Sequence, residues 1–312
     1  MALAELDDER LDWSGTLLVA RGDEHVGRGA QAMRYQAGSI SKHVMSVVVL
    51  ALVARGTLDL DAPVGRWLPD LPERHRPITL RQLLSQTSGI GHWGQVPGLP
   101  PVLEAPPEPA TLLTMVRAAP LTAPPGERWR YSSPAFLVVA QVIEAATGDR
   151  YADLVAAIVT GPAGMTATTS GRFPVGAPDV AVGRRDGRVL EVHPGFTALP
   201  GTGDLWTTTT DLLRYSRALR SGLLLDAGAA AQLWHRSATL DPPDPTDRPA
   251  AASAYGFGTF LGQVLGQDAW FVPGDNLGYQ SLLAYVPATD TDLVVLSNQE
   301  SGVDTLLQHL TL

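Results

Sequence analysis

The order of the predicted secondary structure constrains the fold of this chain more than any other feature. Apolar, β-branched runs typical of strands occur at residues 13–21 and again at 255–261, 281–286 and 292–296. Helical periodicity is found between them, at residues 39–55, 78–86, 134–147, 151–159 and 209–220. Strands at both ends and helices in the middle predict an α/β (α+β) fold. One part is expected to be built from both termini, and a helical part to be inserted between them.

Composition excludes several classes of function. A net charge of −9 argues against a nucleic-acid partner, because binding to phosphates requires a basic face. The absence of cysteine excludes disulfides, thiolate catalysis and cysteine zinc sites. The strongest apolar run, residues 44–54, is about half the length that spans a bilayer. The first residues are acidic where a signal peptide would be basic. We therefore expect a soluble cytoplasmic protein without a membrane partner.

The chain contains a single lysine, Lys42. Lysine and arginine together number 23, so the other 22 basic residues are arginines. Arginine is effectively never deprotonated in proteins, whereas a buried lysine can lose its proton and act as a base. The alternative is that codon bias towards arginine left one lysine by chance, on the surface and without a catalytic role. The residues around Lys42 must decide between a buried base and a surface side chain.

Ser39 lies three residues before Lys42, in the segment Ala37-Gly38-Ser39-Ile40-Ser41-Lys42. If Ser39 opens a helix, Lys42 lies one turn later on the same face, and its amine can reach the serine hydroxyl. A serine hydroxyl is a poor nucleophile at neutral pH and needs an adjacent base. The alternative is that Ser39 is an ordinary N-cap and Lys42 is solvated.

Seven further segments are distinctive, and they follow one another along nearly the whole chain: GSISKHVMSVVVLALVARGTLDLDAPVGRWLPDLP, ITLRQLLSQTSGI, PGERWRYSSPAFLVVAQVIEAATG, GPAGM, PGTGDLWTTTTDLLRY, YGFGTFL and GDNLGYQSLLAYVPATDTDLVVLSN. In sequence and in order they resemble the motifs of the class C β-lactamase-like serine hydrolases. The family includes class C β-lactamases, D-alanyl-D-alanine carboxypeptidases, D-aminopeptidases and β-lactamase-fold esterases. The resemblance implies a β-lactamase/transpeptidase-like fold, with an antiparallel sheet built from both termini and flanked by helices.

The resemblance also assigns roles to residues. Ser39 would be the nucleophile, Lys42 its base, and Tyr131 the phenol that shares protons with the lysine and protonates the leaving group. The family's Tyr-x-Asn motif is here Tyr131-Ser132-Ser133, and Ser133 is shorter than the usual asparagine, which puts substrate positioning in doubt. Gln86 stands where the family often has histidine, and we expect its role to be structural.

The family's third motif, Lys/His-x-Gly, corresponds here to Val272-Pro273-Gly274. The residue after the glycine, Asp275, would supply a backbone N–H to the oxyanion hole, and a backbone donor does not depend on the side chain. Val272 removes the cation that would bind a substrate carboxylate. This lowers the expectation of penicillin or D-alanyl-D-alanine peptide substrates and favours neutral esters or amides.

These observations predict a single β-lactamase-like domain over residues 1–312, with an α/β subdomain at 1–58 and 170–312 and a helical subdomain at 59–169. Its catalytic residues would be Ser39, Lys42 and Tyr131, and its oxyanion and substrate-binding residues Ser39, Asp275, Ser133 and Gly274. Trp93 and Trp129 could line a pocket, although tryptophans more often serve packing.

We expect a serine hydrolase that acts on a small ester, amide or peptide substrate without a cofactor. An acyltransferase and a non-catalytic binding protein on the same fold are the alternatives. The seven histidines lack the spacing of a metal site, and no Gly-x-Ser-x-Gly elbow occurs. The oligomeric state stays open.

Overall fold

The computed structural model describes residues 11, 13–99, 108–171, 176–190 and 199–311. Its strands, in chain order, are β1 (Gly15–Arg21), β2 (Glu24–Arg28), β3 (Tyr35–Gln36), β4 (Thr169–Ser170), β5 (Arg184–Arg185), β6 (Arg188–Val189), β7 (Leu205–Thr207), β8 (Ala238–Thr239), β9 (Ala250–Tyr255), β10 (Phe260–Val264), β11 (Gln267–Asn276), β12 (Tyr279–Val286) and β13 (Thr291–Ser297). Its α-helices are α1 (Ile40–Ala54), α2 (Leu80–Leu84), α3 (Pro109–Ala118), α4 (Ser133–Thr147), α5 (Tyr151–Val155), α6 (Thr209–Arg220), α7 (Ala227–Leu233) and α8 (Gly302–Leu307).

The main sheet has eight strands in the order β2-β1-β13-β12-β11-β10-β9-β8, and each neighbouring pair is antiparallel. The two ends of the chain meet where β1 pairs with β13, with Gly15 opposite Ser297. All seven residues of β13 are buried, because helices cover both faces of the sheet. The predicted fold, an antiparallel sheet built from both termini and flanked by helices, is confirmed. The predicted subdomain borders stay a prediction.

Helix α1 forms the centre of the molecule. It packs on β11 and β12 of the sheet and also contacts α4, α5 and α7. Of its 15 residues, 13 are buried, as expected for a helix that is apolar on nearly every side. The other face of the sheet is covered by α8, which packs on β12 and β13. The residue that opens α1 is therefore attached to a buried helix that packs on both the sheet and other helices.

Helices α2 and α4 have well-defined ends. Thr79 caps α2 in a capping box with Gln82, and Gly148 ends α4 with a positive φ of 78°. Helix α3 was not predicted from the sequence. In the described part of the chain, no helix is long and apolar enough to cross a membrane.

The strand predicted at residues 255–261 is wrong. The structure places a turn there, between the end of β9 at Tyr255 and the start of β10 at Phe260. Gly258 adopts a φ of +69°, and a Cβ on it would lie 2.8 Å from the Lys42 carbonyl oxygen. The turn therefore packs closely against α1, which a side chain at Gly258 would prevent.

Candidate active site

Ser39 occupies the N-cap position of α1, but its side chain makes no capping hydrogen bond. The preceding residue, Gly38, has a φ of +53°, and this turn brings the chain from β3 into the helix. Since the hydroxyl group is not used to cap the helix, it is free to interact with other side chains. The alternative in which Ser39 is an ordinary N-cap is therefore wrong.

The Ser39 hydroxyl lies between an amine and a phenol. Lys42 Nζ donates a hydrogen bond to Ser39 Oγ at 2.9 Å, and Tyr131 Oη donates to the same oxygen at 2.6 Å. The Lys42 side chain is buried, with 1% exposure, and its Nζ lies 5.1 Å from the centre of the Tyr131 ring. The lysine is therefore not a solvated surface residue. The structure brings together all three residues that the resemblance assigned to catalysis.

Thr202 supplies a second acceptor for the lysine, and the sequence did not identify it. Its carbonyl oxygen accepts from Lys42 Nζ at 3.0 Å. The Thr202 loop is held by the buried Asp204 carboxylate, which accepts from the Gly201 backbone N–H at 2.8 Å and from the Ser170 hydroxyl. Burial raises the pKa of Asp204 above its ordinary value. This loop fixes the amine of Lys42 under Ser39 Oγ.

Gln86 positions the segment that carries Tyr131. The Gln86 carbonyl oxygen accepts from Arg130 N–H at 2.9 Å, and its side-chain Oε1 accepts from Ser132 N–H at 2.8 Å. These two bonds hold the residues on either side of Tyr131. Gln86 itself has a φ of +61°. The structural role expected for this residue is borne out.

Strand β11 lies directly against the chain that leads into Ser39. A Cβ on Gly274 would lie 2.2 Å from the Ala37 carbonyl oxygen, and a Cβ on Gly38 would lie 2.7 Å from the Asp275 backbone nitrogen. The Ser281 hydroxyl fixes this contact by donating to the Ala37 carbonyl oxygen at 2.8 Å. Glycine at both positions lets the Asp275 backbone approach the residue beside Ser39.

The third-motif residues point to different sides of β11. Val272 is 2% exposed and belongs to the core between the sheet and α1, while Pro273, Gly274 and Asp275 line the cavity above Ser39. Side chains alternate along a strand, so Val272 shares the buried face of β11 with Gly274, while Pro273 and Asp275 lie on the exposed face. The valine at this position extends the apolar core and adds no charge to the cavity.

A cavity of about 900 Å³ opens at Ser39. The predicted residues Tyr131, Ser133, Gly274 and Asp275 line it, and Lys42 lies beneath its floor. Trp93 and Trp129 line it too, although packing was the favoured expectation for them, and both also pack against buried core residues. The lining residues not identified from the sequence include His92, Arg185, Thr202, Phe260, Gln280, Glu300 and Asp304.

One wall of the cavity is acidic. Asp275, Glu300 and Asp304 lie on it, and Arg185 forms a two-bond ion pair with Glu300 at 2.8 and 2.9 Å. Burial, together with the carboxylates of Glu300 and Asp304, raises the pKa of Asp275 above its ordinary value. Three carboxylates face one guanidinium, so this wall favours neutral or cationic ligands over anions.

Comparison with known proteins identifies the family. The family model described as Beta-lactamase matches residues 13–310, and the chain belongs to that family. Esterase EstB of Burkholderia gladioli is 31% identical over 328 aligned positions, which cover 82% of this chain and 81% of the esterase.

Solved structures show the same fold. A D-stereospecific amidohydrolase from Streptomyces sp. superposes with a TM-score of 0.79 at 26% identity, covering 95% of this chain and 93% of that one. A penicillin-binding protein from Bacillus halodurans superposes with a TM-score of 0.79 at 23% identity, covering 96% and 97%. The protein is therefore a hydrolase of the β-lactamase fold, as its sequence predicts.

Proposed function

We propose that this protein cleaves a small ester or amide through a covalent acyl-enzyme formed on Ser39. The observation that carries the proposal is the position of Ser39 Oγ, within hydrogen-bond distance of both Lys42 Nζ and Tyr131 Oη. A nucleophile in contact with a base, and a second proton-carrying group on the same oxygen, are the parts that acyl transfer requires.

The geometry supports proton transfer among Ser39, Lys42 and Tyr131 during the reaction. Ser39 Oγ attacks the substrate carbonyl carbon, and its proton passes to Lys42 Nζ, which acts as the base. Tyr131 then gives its proton to the leaving oxygen or nitrogen as the bond to the carbonyl carbon breaks, and it recovers a proton from Lys42. In the second half, a water molecule attacks the acyl-enzyme and returns a proton to Ser39 by the same groups.

Two backbone donors are proposed for the oxyanion. Among the described residues, none accepts a hydrogen bond from the Ser39 backbone N–H. The Asp275 backbone nitrogen lies against Gly38, at the edge of β11 beyond the point where β10 stops pairing. Removing one such donor costs about 10² to 10³ in rate in other enzymes, so the position of β11 is central to the proposal.

The acidic wall supports neutral substrates. A carboxylate near Asp275 and Asp304 would be repelled, whereas an uncharged ester or amide would not. The relative EstB is named an esterase, and the Streptomyces relative is named a D-stereospecific amidohydrolase. We propose the same broad class, small neutral esters or amides, for this chain. The cytoplasmic location stays a prediction.

Initial rates on two esters with acyl groups of equal length but different charge test this proposal. Wild type is expected to hydrolyse p-nitrophenyl butyrate with a higher kcat/KM than the p-nitrophenyl half-ester of succinate. Asp304→Asn removes one negative charge from the acidic wall and leaves Ser39, Lys42 and Tyr131 in place. It should therefore reduce the difference in kcat/KM between the two esters. Equal rates on both esters in wild type would overturn the proposed selectivity.

Product analysis distinguishes hydrolysis from acyl transfer. With an added amine or alcohol, a hydrolase releases the free acid at an unchanged rate. Appearance of the acylated acceptor as the main product would instead establish the transferase alternative. Ser39→Ala is the control in both cases, because either reaction requires the acyl-enzyme.

A further inference from the structure

His92 lies in the active-site cavity and has no role in the proton transfers described above. It precedes the short turn Trp93–Gln95 and lines the cavity together with Ser39. The edge of its ring packs against Tyr131, with ring centres 5.6 Å apart and planes inclined by 69°. Its backbone N–H donates to Gln95 Oε1 at 3.0 Å, so the residue is held on both sides.

The start of α4 determines which ring nitrogen of His92 carries the proton. The Ser133 backbone N–H, at the first position of this helix, donates to His92 Nδ1 at 3.2 Å. Such an N–H has no acceptor within its own helix, so the imidazole supplies one. Because Nδ1 accepts, the proton of the neutral ring lies on Nε2. His92 therefore retains one donor, Nε2–H, for a ligand in the cavity.

The surroundings keep this ring neutral. Burial, and then the charge of Lys42, lower the pKa of His92 to about 4. A neutral donor beside a lysine adds no charge to the site and suits an uncharged acceptor oxygen. The acidic wall formed by Asp275, Glu300 and Asp304 lines the same cavity and also disfavours a substrate carboxylate there.

Ser133 leaves room for this donor. Its side chain is short, it is 6% exposed, and its backbone N–H is already bound to His92. His92 and Ser133 thus form one polar part of the cavity lining. A substrate whose scissile carbonyl lies over Ser39 would present its acyl group to this part of the lining or to the acidic wall.

We propose that His92 is a substrate-binding residue that donates a hydrogen bond from Nε2 to a second, uncharged carbonyl oxygen in the acyl part of the substrate. The proposal rests on the proposed function and makes it narrower: the preferred substrates are esters or amides whose acyl group carries such an acceptor, for example a keto-acyl or acylamino-acyl group.

A pair of esters that differ in this one oxygen tests the proposal. The p-nitrophenyl esters of 4-oxopentanoate and 4-methylpentanoate have the same chain, with a carbonyl in one where the other has a methyl-bearing carbon. Wild type is expected to prefer the oxo ester, measured as the ratio of kcat/KM values and corrected for the hydroxide-catalysed rates. In His92→Phe, which keeps a ring but removes the donor, this ratio should fall about five- to tenfold.

Two further variants make the result specific. His92→Asn offers an amide donor and should keep much of the preference. His25→Phe makes the same type of change at an exposed histidine on β2 and should leave the ratio unchanged. If His92→Phe does not fold, as judged by circular dichroism, His92→Leu provides the same comparison.

The outcomes separate this inference from the proposed function. Hydrolysis that depends on Ser39, with an equal ratio in wild type and His92→Phe or with no preference in wild type, overturns the role of His92 alone. Hydrolysis that is unchanged in Ser39→Ala overturns the proposed function.

Discussion

The Ser39 oxygen accepts hydrogen bonds from two side chains that reach it by different routes. Lys42 belongs to the same helix, one turn later, so local geometry alone brings its amine to the serine. Tyr131 is 92 residues away along the chain and is brought there by packing, with Gln86 holding the residues on either side of it. The two contacts therefore depend on different parts of the fold.

Removing the Tyr131 hydroxyl should affect chemistry more than folding. In Tyr131→Phe the ring can keep its stacked contact with Phe260, while the 2.6 Å hydrogen bond to Ser39 is lost. We expect kcat to fall by about 10² to 10⁴ with little change in KM, since proton transfer to the leaving group is lost. Steady-state kinetics on an activated amide would measure this.

Tyr285→Phe is the matched control, because its hydroxyl bonds Asp290 on an exposed turn. It should leave kcat unchanged. An unchanged kcat in Tyr131→Phe as well would contradict the role assigned to this phenol.

At the level of single residues, spacing suggested Ser39 and Lys42, and motif resemblance supported them and added Tyr131, Ser133, Gly274 and Asp275. The structure brings these residues together, and their catalytic and binding roles stay a prediction. Thr202 and His92 were not identified. Thr202 acts through its carbonyl oxygen, which every residue has, and the pairing of His92 with Ser133 depends on the arrangement of two segments 41 residues apart. Neither leaves a side-chain pattern that a sequence alone would show.

Among the secondary-structure elements, β11 lies directly against the segment that leads into the nucleophile. Its Gly274 lies against the Ala37 carbonyl oxygen, and no side chain fits between them. The turn before β10 makes a similar contact, where Gly258 lies against the start of α1. The strand predicted at residues 255–261 was wrong for this reason: its aromatic and glycine alternation is typical of a strand, but the glycine serves a turn.

Gly274→Ala should displace β11 from Ser39. The added methyl group would lie 2.2 Å from the Ala37 oxygen, so the strand or the Ser39 segment must shift. We expect a loss of about 1–3 kcal/mol in the free energy of unfolding from overpacking, and a loss of about 10² to 10³ in kcat because the Asp275 backbone donor moves. Urea unfolding and steady-state kinetics measure the two effects.

Gly94→Ala is the control for that experiment, since a Cβ there would meet no atom within 4 Å. It should change neither the free energy of unfolding nor kcat by much. Wild-type kcat in Gly274→Ala would show that the close approach of β11 is not needed for catalysis.

At the scale of the whole molecule, three of the histidines in the described part of the chain are held neutral inside the fold. Burial is the largest cause in each case, and it lowers the pKa of His43 to about 3 and those of His75 and His92 to about 4. In the unfolded chain these groups titrate near their ordinary pKa of about 6.5. As the pH falls below 6.5, the unfolded state binds protons that the folded state does not, so stability decreases towards pH 4.

Urea unfolding between pH 5 and pH 8 checks this. We expect the free energy of unfolding to be nearly level above pH 7 and to fall below pH 6.5, by up to about 1.4 kcal/mol per pH unit for each histidine. In His75→Leu the free energy of unfolding should depend less steeply on pH. The decrease in slope should be up to about 1.4 kcal/mol per pH unit, which corresponds to one proton. His235→Leu, at an exposed position, should leave it unchanged. If the free energy of unfolding fell with pH equally steeply in wild type and His75→Leu, the lowered pKa of His75 would be contradicted.

The most direct test of the central claim is intact-protein mass after exposure to a fluorophosphonate probe and to a panel of activated esters. We expect one adduct on wild type, none on Ser39→Ala, and labelling slower by on the order of 10³ in Lys42→Arg, which keeps a charge but loses the base. An adduct of the same yield on Ser39→Ala, or none on folded wild type with any reagent, would contradict an acyl-enzyme on Ser39.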